Sequence, residues 1–186
     1  MALFSSLVQR GLRSAQPSAS SVKVGTLYCS SDDGLIERST GAAWEAFGPI
    51  LRLAEVSLSS ADILALRATP KTLVAAPGTG LLLEFVGAVL ILDATATAYV
   101  ESTANLAVKY TNGSGAQVSD TIEATGFIDQ TADTMTTARA KQDAIVAKTG
   151  CENKALVLHN LGAAEYTTGT GVIRVKLTYR IWSTGW

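Results

Sequence analysis

Near its carboxyl end, the segment GVIRVKLTYRIW alternates apolar and polar side chains more strictly than any other part of the sequence. Its apolar row is Ile173, Val175, Leu177, Tyr179 and Ile181, and the residues between them are Arg174, Lys176, Thr178 and Arg180. Successive side chains of a β-strand point to opposite faces, so a period of two is the period of a strand. The segment therefore predicts a strand with one face on a core and one face in water.

Further short β signals, separated by glycine-rich turns, recur through the region 49–186. The predicted strands lie at 72–76, 97–101, 106–111, 118–122 and 135–139. Only one good helix is indicated: Ser59 and Asp62 have the spacing of a capping box, and Pro70 ends the pattern. The segment 140–148 is compatible with a helical turn or a loop. Many short strands with such turns predict an all-β domain, a β-sandwich or jelly roll with one short helix.

The run LLLEFVGAVLIL at 81–92 is apolar on both of its alternating faces. A sandwich strand normally leaves one face wet, so a second surface is expected to cover the outer row. The cover is either the helix at 59–67 or another subunit, and the residues predicted for a subunit interface are Val86, Leu90 and Leu92. As a membrane span the run is far short of roughly 20 residues, and Glu84 interrupts it. No membrane segment is expected.

The composition favours a protein that hides surface against a partner. Apolar residues make up 47% of the 186 residues, charged residues only 17%, and the formal net charge is -1. Soluble domains usually carry about a quarter charged residues. A nucleic-acid-binding chain would need a clear basic excess, so this class is excluded. The composition predicts an obligate partner or a homo-oligomer, for which we expect a trimer.

Residues 1–22 are rich in serine and contain no acidic residue. Organelle transit peptides share this composition, but we interpret the segment as an extended arm that is ordered because it lies on another surface. Its predicted docking residues are an apolar group and two cations that pair with acids of a partner: Leu3, Phe4, Leu7, Val8, Arg10 and Arg13.

The following residues, 23–48, predict a small β-meander. Strands are indicated at 24–29, 35–39 and 44–47, with a tight turn at Asp33-Gly34 and a domain boundary at Pro49. The sequence thus divides into the arm 1–22, the meander 23–48 as an attachment module, and the β-domain 49–186. Tyr28, Trp44 and Phe47 are interpreted as the core of the meander in preference to a sugar-stacking platform.

No pattern in the sequence supplies catalysis. The single histidine, His159, lies in an apolar strand with no nucleophile or carboxylate indicated beside it, and is interpreted as a structural or interface residue. Cys29 and Cys151 follow no metal spacing and are read as free thiols. The acids Glu123, Asp129 and Asp133 resemble a calcium loop only in composition, and more often such acids bond to backbone groups. We therefore expect no enzyme, metal or cofactor.

Two stretches carry a family resemblance. VGTLYCSSDDGLIERSTGAAWEAFG resembles a hairpin of phage tail-fibre and head-fibre chains, through Gly25, Leu27-Tyr28, Asp33-Gly34, Thr40-Gly41 and Trp44. Cys29 and Ile36 stand where aromatic residues are common. The main domain, from LSSADILALRATPKTLVAAPGTG to GTGVIRVKLTYRI, is similar to small β-sandwich proteins encoded among the structural genes of tailed bacteriophages.

The resemblance implies a non-enzymatic virion component, on the capsid surface or in a fibre. The leading hypothesis is a trimeric protein that decorates or cements the capsid, or forms a short head fibre. The arm and meander would bind the major capsid protein or another virion subunit, after assembly in the host cytoplasm. The alternative is a tail-fibre or receptor-binding module, for which Tyr166 and the aromatics at 182–186 are the candidate contacts.

Overall fold

A computed structural model describes residues 7–31, 36–47, 51–101 and 104–185. The chain divides into two compact units, Met1–Arg52 and Leu53–Trp186. The strands in these residues are β1 Val8–Gly11, β2 Leu27–Ser30, β3 Ile36–Ser39, β4 Trp44–Ala46, β5 Arg52–Leu58, β6 Lys71–Val74, β7 Leu81–Asp93, β8 Tyr99–Val100, β9 Leu106–Tyr110, β10 Thr134–Arg139, β11 Leu156–Asn160, β12 Thr167–Thr168 and β13 Val172–Ser183. The helices are α1 Ser60–Leu64 and α2 Lys148–Cys151.

The first unit is a four-stranded sheet in the order β1-β2-β3-β4. β2, β3 and β4 form the predicted antiparallel meander, and β1 joins it as a parallel strand. Short 3-10 turns at Arg13–Ala15 and Ala19–Ser21 lie between β1 and β2. Residues 7–21 are thus part of the same unit as the meander, which differs from the separate arm expected from the sequence. The turn predicted at Asp33-Gly34 lies outside the described residues.

The second unit confirms the predicted all-β sandwich. One sheet has the order β10-β7-β13-β5 and the other β6-β11-β9, and a two-stranded ladder joins β12 to β8. Buried residues of both larger sheets belong to one hydrophobic core, for example Leu90 and Val175 from the first and Leu106 and Leu156 from the second. Apolar burial of this kind is the dominant favourable term in folding.

The strand predicted to have one face on a core and one face in water is confirmed as β13. Ile173, Val175 and Leu177 are completely buried, and Tyr179 and Ile181 pack against the same core. The predicted capping box is also present at α1, where the Ser59 hydroxyl accepts from the Asp62 amide and the Asp62 carboxylate accepts from the Ser59 amide. The strand predicted at 118–122 is reduced to isolated bridges, whereas β5 was not predicted.

A β-bulge in β7 corrects the prediction for the run 81–92. Thr178 of β13 pairs with Gly87 and Tyr179 pairs with Phe85, so Val86 is one residue in excess. A bulge shifts the alternation of the strand by one residue. The core row therefore passes from Leu83 and Phe85 to Ala88, Leu90 and Leu92.

Leu90 and Leu92 were predicted at a subunit interface, and this was wrong. Both side chains are almost completely buried in the core of their own chain, at 0% and 1% exposure. Val86 stays half-buried outside that core cluster. Helix α1 does not cover the outer row either, since its Ile63 belongs to the core. Neither α-helix in the described part of the chain has the length and apolar run of a membrane span.

Candidate functional site

The predicted docking residues of the arm fall into three groups: Leu3 and Phe4, then Leu7, Val8 and Arg10 at β1, and then Arg13. Leu3 and Phe4 lie outside the described residues. Leu7 accepts a hydrogen bond from the Leu27 amide through its backbone carbonyl, at 2.8 Å, and so leads into β1. Val8 and Arg10 are exposed residues of β1 itself.

The third group, Arg13 and the residues after it, crosses one face of the meander. Arg13 Nη1 and Gln16 Nε2 both donate to Glu37 Oε2, at 2.7 and 2.6 Å. Glu37 is 7% exposed, so its charge is balanced inside the unit. Arg13 was expected to pair with an acid of a partner, and the structure corrects this: its acid is Glu37 of the same chain. A partly buried carboxylate requires such a partner, because an unpaired one would be costly.

Backbone carbonyls of the arm accept further bonds from the same face. Trp44 Nε1 donates to the Pro17 carbonyl at 2.7 Å, and Ser39 Oγ donates to the Ala19 carbonyl at 2.8 Å. Tyr28 donates its hydroxyl to the Leu12 carbonyl at 2.7 Å. The rings of Tyr28 and Trp44 lie 5.8 Å apart at 60°, an edge-to-face type of contact. Tyr28 and Trp44 thus build the interior of the unit, whereas Phe47 is 56% exposed and does not.

The opposite face of the same sheet carries a different set of side chains. The strand register places Val8 beside Leu27 and Cys29 beside Ile36 on this face. Val8 is 50% exposed and Ile36 is 37% exposed. Arg10, Arg38 and Glu45 are also exposed there, with a 3.7 Å ion pair between the last two. Two of the predicted docking residues, Val8 and Arg10, therefore lie together on an apolar surface with a charged border, named here the open meander face.

In the second unit, the outer face of the β10-β7-β13-β5 sheet mixes apolar and charged residues. Val89 and Ile91 of β7 are half-buried and outside the core cluster. Neighbouring strands add the exposed Leu53 and Met135, at 81% and 62%. Ion pairs join Arg174 to Asp93 at 2.6 Å and Lys176 to Glu55 at 3.6 Å. The exposed apolar surface expected from the composition is thus present, but Val89 and Ile91 occupy it instead of Leu90 and Leu92.

His159 is integrated into the sandwich. It is 9% exposed, and its Nε2 faces Gly113 so closely that a Cβ at that position would lie 2.5 Å from it. Burial lowers the pKa of His159, and the nearby charges of Lys109 and Arg67 act in the same direction. The Arg67 carbonyl and Glu165 oppose that shift. His159 is therefore held as a neutral side chain at neutral pH.

The acidic side chains considered as calcium ligands accept hydrogen bonds from other groups of the protein. Asp129 accepts from the Gly126 amide at 2.7 Å, Asp133 from the Ala94 amide at 2.9 Å, and Glu123 from Asn105 Nδ2 at 3.1 Å. Within the described ranges, no three His, Cys, Asp or Glu side chains gather into a group that could hold a metal ion. Cys29 and Cys151 are free thiols, the first half-buried and the second buried.

No protein-family model matches the chain, and no curated protein sequence matches it either. Among solved structures, a chain of the capsid asymmetric unit of cyanophage Pam1 is similar to it, with 17% sequence identity and a TM-score of 0.39. The alignment covers 73% of this chain and 88% of that chain. A likeness at this level assigns no function.

Proposed function

We propose that the chain is a non-enzymatic structural protein of a bacteriophage virion that decorates or cements the capsid surface, as a minor capsid protein or short head fibre. The proposal rests on the sequence resemblance and on one structural observation. The fibre-like segment folds with the arm as a compact unit of its own, and the sandwich, a separate unit, exposes apolar surface. That organisation suits an attachment module joined to a self-associating domain.

In this proposal the open meander face binds the major capsid protein or a neighbouring virion subunit. Val8 and Ile36 supply apolar area, and Arg10 offers a charge that no ion pair of the described residues uses. The second unit associates with two further copies, with Val86 on the contact surface. Stable protein interfaces bury about 1,600 Å². Binding at several lattice points at once adds avidity that a single small surface lacks.

Copy number on purified particles is the decisive experiment. Particles of the phage that encodes the chain are analysed by quantitative mass spectrometry, with the major capsid protein as internal reference. Decoration predicts a fixed ratio of the same order as the capsid protein, which means hundreds of copies per head. Absence of the chain from purified particles would overturn the proposal.

The alternative function, a tail-fibre or receptor-binding module, predicts only a handful of copies in the same measurement. One observation favours it: Trp182 is 40% exposed, and its Nε1 donates to Glu84 Oε2 at 2.6 Å beside Arg180. An exposed aromatic ring with fixed polar neighbours is a common feature of binding surfaces. Of the other two aromatics expected to serve such a role, Tyr166 is 2% exposed and belongs to the core, and Trp186 lies outside the described residues.

A charge reversal tests the docking surface separately. Arg10→Glu places an acid on the open meander face and is expected to abolish binding of the purified chain to particles that lack it. Lys23→Glu is the matched control, because Lys23 is exposed in the same unit but lies outside its strands. Equal binding by both variants would show that docking does not use Arg10.

A further inference from the structure

The edge of the main sheet is interrupted beside β7. β10 pairs with β7 only from Gly87 to Leu92, although β7 begins six residues earlier, at Leu81. The chain then leaves the sheet and returns at an isolated bridge between Glu152 and Leu82. Between these two points, no strand of the described residues pairs with this edge of β7.

This interruption opens into a cavity of about 380 Å³. Its walls are largely apolar, and they include Leu82, Phe85, Val118, Ala144, Val146 and Cys151. Glu84 and Lys141 add one charge of each sign to the lining. The volume falls within the range of roughly 300–1,000 Å³ that is typical of clefts that hold a ligand. The cavity therefore has room for an aliphatic group with a polar neighbour.

The segment 144–146, at the border of this cavity, carries the most exposed large apolar side chain of the described residues. Ile145 is 98% exposed, although both of its sequence neighbours, Ala144 and Val146, line the cavity. Ile145 itself does not line the cavity. Its own chain thus offers Ile145 no apolar contact, and an aliphatic side chain gains free energy when it leaves water.

We propose that Ile145 of one copy inserts into this cavity of a neighbouring copy. The inference rests on the self-association in the proposed function and names the contact that produces it. The fit is chemical: an aliphatic side chain enters an aliphatic cavity. Each copy carries both the protruding residue and the cavity, so each can donate and accept, and the copies form a closed ring when the rotation between neighbours closes.

Cys151 makes the proposal testable, because it lies in the wall that Ile145 would approach. The full chain is prepared with Cys29→Ser, to remove the other thiol, and with Ile145→Cys. A copper–phenanthroline oxidant then takes two electrons and two protons from each pair of thiols that forms a disulfide. Such a bond requires Cα atoms about 4.4–6.8 Å apart. The expected product on a non-reducing gel is a covalent closed oligomer, a trimer if the axis is threefold.

Leu53→Cys in the same Cys29→Ser background is the matched control. Leu53 is also exposed, at 81%, and lies in the same unit but does not border this cavity. It is expected to give no cross-link with Cys151. A second measurement avoids new cysteines: Ile145→Ser should dissociate the oligomer and speed the reaction of Cys151 with a thiol reagent at least tenfold.

The outcomes separate this inference from the proposed function. The Ile145 contact is overturned, and virion decoration still stands, if the disulfide forms only within one chain. The same holds if the chain is an oligomer but no disulfide forms between its copies. An oligomer that Ile145→Ser leaves intact does the same. If the unaltered chain is monomeric by light scattering, the self-association is wrong and this contact falls with it. If the chain is absent from particles while the cross-link forms, only the proposed function fails.

Discussion

The replacement of Leu90 by alanine tests the bulge that separates the two faces of β7. Leu90 is completely buried, opposite Val175 on β13 and Thr136 on β10. The change removes three carbon groups, worth about 0.8 kcal/mol each on burial, or about 2.4 kcal/mol together. The cavity left behind brings the expected loss of unfolding free energy to about 3–5 kcal/mol.

Thermal unfolding of the full chain, followed by circular dichroism, measures this loss. A destabilisation of about 3–5 kcal/mol lowers the midpoint by about 6–20 °C for a domain of this size. Urea unfolding gives the free energy directly and shows whether the slope is unchanged, as it should be for a simple loss of stability.

Val89→Ala is the matched control one residue away. Val89 faces outward beside Lys176 and is only half-buried, so its truncation should cost less than about 1 kcal/mol. The assigned register would be refuted if Val89→Ala destabilised the chain as much as Leu90→Ala did.

Three further predictions follow from single features. Deletion of Val86, the extra residue of the bulge, should leave the chain folded. Deletion of Val89 should turn half of the core row outward and unfold the sandwich. Equal circular dichroism spectra of the two deletion variants would contradict this. Because the folded-state pKa of His159 lies below its ordinary value of 6.5, the unfolded chain binds the proton more readily, so stability should fall as the pH drops below about 6.5. His159→Gln should flatten that dependence of the unfolding midpoint. Glu37→Ala should cost about 1–3 kcal/mol and speed trypsin cleavage at Arg13, whereas Glu45→Gln, at an exposed pair, should change neither.

The sequence predicts a strand well when one of its faces is wet. In β13 the arginines and lysine mark the outer row, so the alternation can be read without knowing the fold. β7 lacks such a marker, because Val86, Ala88, Val89 and Leu90 are all apolar. A one-residue shift then leaves no trace in the pattern, and the bulge becomes visible only through its pairing with β13.

β5 was missed for a related reason. Its core row is Ala54, Val56 and Leu58, but the outer row begins with Leu53, which hides the change from apolar to polar. The contacts around Glu37 were not predictable at all. Glu37 and Arg13 lie 24 residues apart, and nothing in the local pattern of either residue indicates the other.

The two units are also stabilised by different interactions, and this difference determines how docking must be tested. The sandwich has a large apolar core, whereas the first unit buries Tyr28 and Ala19 beside the polar Glu37, Ser39 and Thr26. A domain this small buries too little apolar surface to fold securely on that basis alone, so its hydrogen bonds to the arm contribute a large share of its stability. Removal of residues 1–22 would take away β1 and every one of these partners. A truncated chain would therefore lose particle binding whether or not the arm touches the capsid, and only substitutions on the open meander face, such as Arg10→Glu, can separate docking from folding.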